Sequence, residues 1–85
     1  MTHILESWED FIEYAGFCRY GAYQIIRYGE NKAEVRVLAG KFGYVMEYEL
    51  NDPESRKTYE HVIRYVQEHG FMKVASTVPE DQFFK

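Results

Sequence analysis

The sequence predicts an α+β fold, a two-layer sandwich in which a three-stranded antiparallel meander carries two helices on one face, in the order α-β-β-β-α with a short C-terminal strand as an optional addition. Three observations carry this reading. Residues 22 to 50 contain three runs rich in β-branched and aromatic residues, separated by short breaks. Residues 2 to 16 place apolar side chains at helical spacing. Asp52-Pro53-Glu54 opens a second helical pattern that Gly70 closes. At 85 residues, 46% hydrophobic and 28% charged, the chain is read as a single domain over residues 1–85, with 71–85 as a strap or docking tail.

The first helix draws its buried stripe from Ile4, Leu5, Trp8, Phe11, Ile12 and Ala15. Thr2 and Ser7 are the candidate caps. Ser7 has an acid three residues on, Asp10, but Thr2 lets Ile4 and Leu5 join the stripe and is preferred. Gly16 ends the helix, with Phe17 expected to fold back on Ile12. The polar face carries Glu6, Glu9, Asp10 and Glu13 with no Lys or Arg beside them. Glu6/Asp10 and Glu9/Glu13 are like-charge i, i+4 pairs, each costing ~0.2–0.5 kcal/mol. Such a face is either a solvated surface or an anionic ridge for a basic partner. Carboxylates one turn apart stand ~5–6 Å from each other, close to the phosphate spacing of a nucleic-acid strand, so phosphate mimicry is one form the ridge can take.

The strands are AYQIIRYG, KAEVRVLA and FGYVMEYEL, with Glu30-Asn31 and Gly40-Lys41 as hairpin loops of two residues. That geometry sets Tyr28 opposite Ala33, Ile26 opposite Val35 and Gln24 opposite Val37. It likewise sets Ala39 opposite Phe42, Val37 opposite Tyr44, Val35 opposite Met46 and Ala33 opposite Tyr48. The inner face is then apolar except for Gln24. The outer face holds Tyr23, Ile25 and Arg27, then Glu34, Arg36 and Leu38, then Val45, Glu47 and Glu49. Tyr23, Ile25, Leu38 and Val45 form an apolar cluster there, with Glu47 beside it. Either the C-terminal segment covers this cluster or it is a recognition surface.

In the second helix Tyr59, Val62, Ile63 and Val66 form the buried stripe, Gly70 stops it and Phe71 returns to Val66. His61, Tyr65 and His69 line one flank; His61 and His69 lie ~12 Å apart, too far to share an ion, and no metal site is expected. Residues 71 to 78 form either a fourth strand, with Met72 and Val74 on one side, or a strap across the open sheet face. Pro79-Glu80-Asp81-Gln82 resembles the first turn of a short helix, and Phe83-Phe84-Lys85 is either tucked in or a docking tail.

The formal net charge of −4 disfavours nucleic acid as a partner and suits a basic protein surface. Eight tyrosines raise the aromatic share to 18%, a composition frequent at interfaces. The single cysteine, Cys18, leaves no internal disulfide and fits a reducing compartment; with no secretory signal and no run of ~20 apolar residues, a cytoplasmic protein without a membrane span is expected. Gly40-Lys41 lacks the frame of a P-loop, and there is no Cys-x-x-Cys and no Ser-His-Asp arrangement. No catalysis and no cofactor are expected.

The order helix, meander, helix resembles the double-stranded-RNA-binding fold. That resemblance implies a basic start to the second helix, where this chain has Pro53-Glu54-Ser55-Arg56-Lys57, and an RNA-facing first helix, where this chain is acidic. Compact acidic α+β domains of this size also resemble phage-encoded inhibitors of bacterial defence enzymes. The function expected is therefore that of an acidic protein-binding module, an inhibitor or adaptor that occludes a basic surface of a partner protein. The alternatives are a nucleic-acid binder using Tyr23, Arg27 and Arg36 on the sheet face, and a structural homo-oligomer, a homodimer being its simplest form.

Overall fold

The computed structural model describes residues 2–84. The elements run β1 (His3–Leu5), α1 (Trp8–Ala15), β2 (Gly21–Arg27), β3 (Lys32–Ala39), β4 (Phe42–Glu49), α2 (Pro53–Glu68), β5 (Met72–Val74) and α3 (Glu80–Phe83). The class is α+β, but the sheet is larger than a meander: five strands in the order β1-β4-β3-β2-β5. The three central strands are antiparallel, whereas β1 runs parallel to β4 and β5 parallel to β2. The sheet is therefore mixed and open, and the likeness to the double-stranded-RNA-binding fold is confined to the order of the central elements.

β3 and β4 pair in the expected register, Ala39 with Phe42 through Ala33 with Tyr48, across the Gly40-Lys41 turn. The register of β2 is one residue away from the expected one: Arg27 pairs with Ala33, Ile25 with Val35 and Tyr23 with Val37. The cause lies in the loop. The Tyr28 amide donates to the Lys32 carbonyl at 2.9 Å, which leaves Gly29, Glu30 and Asn31 as a three-residue connection. Gly29 takes φ +78°, a left-handed conformation that a side chain disfavours, so it belongs to the turn and not to the strand. A one-residue change in register exchanges the two faces of a strand. Tyr23 and Ile25 consequently turn toward the helices, and Gln24 and Ile26 toward the other face.

The N-terminal reading also changes. Residues 3 to 5 are strand, and α1 begins only at Trp8. Ser7 is the cap: its Oγ accepts from the Asp10 amide at 3.1 Å. Ile4 and Leu5 had matched the helical stripe, but they are satisfied instead by pairing with Gly43 and Tyr44 of β4. Gly16 ends α1 in right-handed geometry, and Phe17 does not fold back on Ile12 but stands 92% exposed.

α2 follows its expected course. Asp52 caps it by accepting from the Ser55 amide at 3.1 Å, with Pro53 at the first position. Gly70, at φ +77°, closes it: its amide reaches the Gln67 carbonyl while the Phe71 amide reaches that of Val66, the paired bonds of a Schellman stop. Phe71 is buried as a result.

α1 and α2 lie on one face of the sheet, over a core of Trp8, Phe11, Val35, Val37, Tyr44, Val62, Val66 and Phe71 among others. Trp8 is its hub, with ring centroids 5.4 Å from Phe11, 5.3 Å from Tyr44 and 5.1 Å from Tyr65. Burying side chains of this size contributes about 1.5–3 kcal/mol each.

The segment after β5 crosses the opposite face as a strap. Beneath it lies a buried polar cluster on β2 and β3. The Gln24 amide donates to the carbonyls of Ala75 and Val78. Arg36 donates to the Glu34 carboxylate at 2.6 Å, to Gln24 Oε1 at 3.0 Å and to the Val78 carbonyl at 3.2 Å. Glu80 adds a fourth contact to Arg36 at 4.0 Å. Phe83 is buried, and the Phe84 ring lies against Gly43 beside Ile4. The terminal aromatics are thus tucked in; Lys85 falls outside the described residues.

Candidate functional site

The helix acids are where a partner can reach them. Glu9, Asp10 and Glu13 stand exposed on α1, while Glu6, also exposed, precedes the cap Ser7 and so sits beside the helix start instead of on it. None of the four makes an ion pair among the described residues. Glu9 and Asp10 occupy the first turn, where the unpaired amides of the helix start favour negative charge. Glu13 has no such support, and the last turn of α1 contains no cation.

Glu6 and Glu9 also border a cleft of about 580 Å³. Trp8, Tyr44 and Met46 supply its apolar lining, and Lys57, Thr58 and His61 of α2 form its far side. Three elements distant in sequence build it: the entry of α1, the middle of β4 and the second and third turns of α2. The Trp8 indole N–H is buried without a hydrogen-bond partner among the described residues. Beneath, the hydroxyls of Tyr44 and Tyr48 meet at 3.2 Å. Burial raises the Tyr44 phenol above its ordinary range; the hydrogen bond with Tyr48 opposes this, and the charge of Glu9 adds to it. Tyr48 is pushed further in the same direction, first by burial and then by its bond with Tyr44. Both stay protonated, so this part of the cleft floor is neutral, and the negative charge nearby is at the rim.

The expected sheet-face cluster does not assemble. Tyr23 is buried on the helix side, and Ile25 is half-buried there with it. Leu38 and Val45 remain on the outer face but are half-buried, Leu38 pairing with the Gly43 over which Phe84 lies. Glu47 is exposed, its carboxylate 3.7 Å from Lys32. The residues offered for nucleic-acid binding on this face separate in the same way. Arg36 is buried in the polar cluster, and Arg27 is on the helix side, donating to the Glu30 carbonyl at 3.0 Å. Glu34, which pairs with Ile26 across the sheet, has its carboxylate on Arg36.

Sequence reasoning missed the exposed rings at the end of the sheet where α1 stops. Phe17 and Tyr20 are 92% and 90% exposed, and Tyr14 is exposed with its ring stacked on Phe42, centroids 5.6 Å apart. A signal was present in the composition, because residues 14 to 20 contain three aromatics and one cation without an acid. The assumption that Phe17 returns to the helix concealed it.

Among the described residues no group of His, Cys, Asp and Glu is placed to hold a metal ion, and no helix is long and apolar enough to cross a membrane. His61 is exposed on the cleft side of α2; His69 stacks on Tyr65 with centroids 4.1 Å apart. No family model matches the chain, and no curated protein or solved structure is significantly similar to it.

Proposed function

We propose that this chain is a small acidic protein-binding module, an inhibitor or adaptor that occludes a basic surface on a partner protein. The observation that carries the reading is the coincidence of Glu6, Glu9, Asp10 and Glu13, exposed and without ion pairs among the described residues, with an apolar cleft whose rim two of them form. Charge at a rim steers encounter and sets salt sensitivity, and apolar floor area supplies affinity once water is excluded. A basic segment of a partner meets both: cations along the ridge, and an aliphatic or aromatic side chain against Met46. Phage-encoded inhibitors of host defence enzymes work by such occlusion, and this chain is suited to the same task in a host cytoplasm.

The test is capture of the partner from lysate of the native source or its host, comparing the wild-type chain with Glu9→Lys/Glu13→Lys and with Met46→Glu, at low and high salt. The reading expects a partner that elutes with salt and is reduced about tenfold or more by each variant. A partner retained equally by all three proteins removes the ridge and cleft from its binding site.

A further inference from the structure

We infer that the end of the sheet where β2 begins is a stacking platform for single-stranded nucleic acid, separate from the acidic ridge. Strand register assembles it. Gly21 pairs with Ala39, Ala39 with Phe42 and Phe42 with His3, so the α1–β2 connection, the β3–β4 turn and the start of β1 meet at one pole. Two contacts tie these segments together: a Cβ added to Gly40 would stand 3.4 Å from Cys18 Sγ, and the His3 amide donates to the Lys41 carbonyl at 2.7 Å.

Here the chain exposes its rings at a cost. Phe17 and Tyr20 have no ring neighbour among the described residues and are nearly as open as in an extended chain. Exposed apolar area of this kind contributes nothing to folding, and clustered it marks a binding surface. Tyr14 shows the geometry that the pole favours, lying at 24° to the Phe42 ring. Among the described residues the two connecting loops carry Arg19 and Lys41, and His3 opens β1 at the same pole; these loops contain no carboxylate, although the whole chain has 14 acids against 10 bases. The nearest acid on α1 is Glu13, one residue before Tyr14.

Free planar rings beside cations fit unpaired bases and their phosphates, since stacking accepts any base and the cations meet the backbone. A duplex hides its base faces and has nothing to stack. A lipid surface is the poorer occupant: interfacial anchoring takes a broad apolar face, and of the three exposed rings Phe17 alone is wholly apolar.

Fluorescence anisotropy with a labelled oligothymidylate of about 15 nucleotides tests this, with a duplex of equal length and anionic vesicles as competitors. Binding to the single strand is expected to exceed binding to the duplex and to survive the vesicles. With two cations engaged, affinity should fall about sevenfold between about 50 and about 200 mM salt. Phe17→Ala/Tyr20→Ala should weaken it at least about tenfold, and Arg19→Glu/Lys41→Glu should abolish the salt dependence along with most of the binding. Circular dichroism of each variant should match the wild type, because these side chains are exposed. Glu9→Lys/Glu13→Lys should not weaken oligonucleotide binding, which keeps this platform distinguishable from the ridge. No binding at the lower salt, equal binding to duplex, displacement by vesicles, or binding indifferent to the ring variants each overturns the inference.

Discussion

Replacing Arg36 by Met puts the polar cluster under the strap to a quantitative test. Arg36 and Glu34 are each 8% exposed. The substitution keeps a similar apolar stem and removes the guanidinium, so the Glu34 carboxylate loses its 2.6 Å partner, and Gln24 Oε1 and the Val78 carbonyl each lose a donor. An uncompensated charge in such a place costs about 3–5 kcal/mol. Against a total stability of roughly 0.05–0.15 kcal/mol per residue, that is a large fraction of what holds the chain folded. Removing both charges, Glu34→Met with Arg36→Met, should recover most of the loss, because Gln24 still reaches Ala75 and Val78 and no ion remains to be desolvated. Equilibrium urea unfolding followed by Trp8 fluorescence reads both. The account predicts a large drop in midpoint for the single variant and a clear rise on adding the second. A single variant within about 1 kcal/mol of wild type, or a double variant no better than the single, refutes the role given to the pair.

Further outcomes follow from particular contacts. Ser7→Ala should cost about 1 kcal/mol in the same unfolding experiment, since it removes the α1 cap; no change would return the helix start to an earlier residue. Gly43→Ala places a Cβ 2.8 Å from Phe84 Cε1 and 2.9 Å from Ile4 Cδ1, and is expected to cost about 1–3 kcal/mol while raising proteolysis of the C-terminal strap. Tyr44, Tyr48 and Tyr65 have phenols raised by burial, so in the folded state they resist ionisation. The unfolded chain ionises them first as pH rises, so their contribution is whole below about pH 10 and lost above it. Ultraviolet titration should show these phenols ionising together with alkaline unfolding, after the exposed tyrosines; one smooth titration at the ordinary value would contradict their burial.

The fold was legible where local chemistry decides it. β3 and β4 alternate cleanly around Gly40-Lys41, and Asp52-Pro53 with Gly70 brackets α2, so element and register could be read directly. The β2 register was not, because a two-residue and a three-residue loop differ only in whether Gly29 bends. The clue was Gln24, the one polar residue on an otherwise apolar face; its place is the polar cluster, which β2, β3 and the C-terminal strap complete together. β1 and β5 are three residues each and owe their existence to parallel pairing with distant strands, for which a short run carries no local signature. Ile4 and Leu5 fit a helical stripe as well as a strand, and the cap at Ser7 starts the helix after them. At the candidate site, the acids were visible in the sequence. The cleft beside them was not, because Trp8, Met46 and His61 converge only after the helices dock.

The central claim is that the α1 acids and the adjoining cleft hold a basic partner protein. It is tested most directly by measuring, once the partner is captured, its affinity for the wild-type chain and for Glu9→Lys/Glu13→Lys across a range of salt. The account predicts wild-type binding that weakens steeply with salt and a variant that binds at least about tenfold more weakly with a flattened salt response. Equal affinity and equal salt dependence for the two proteins would contradict it.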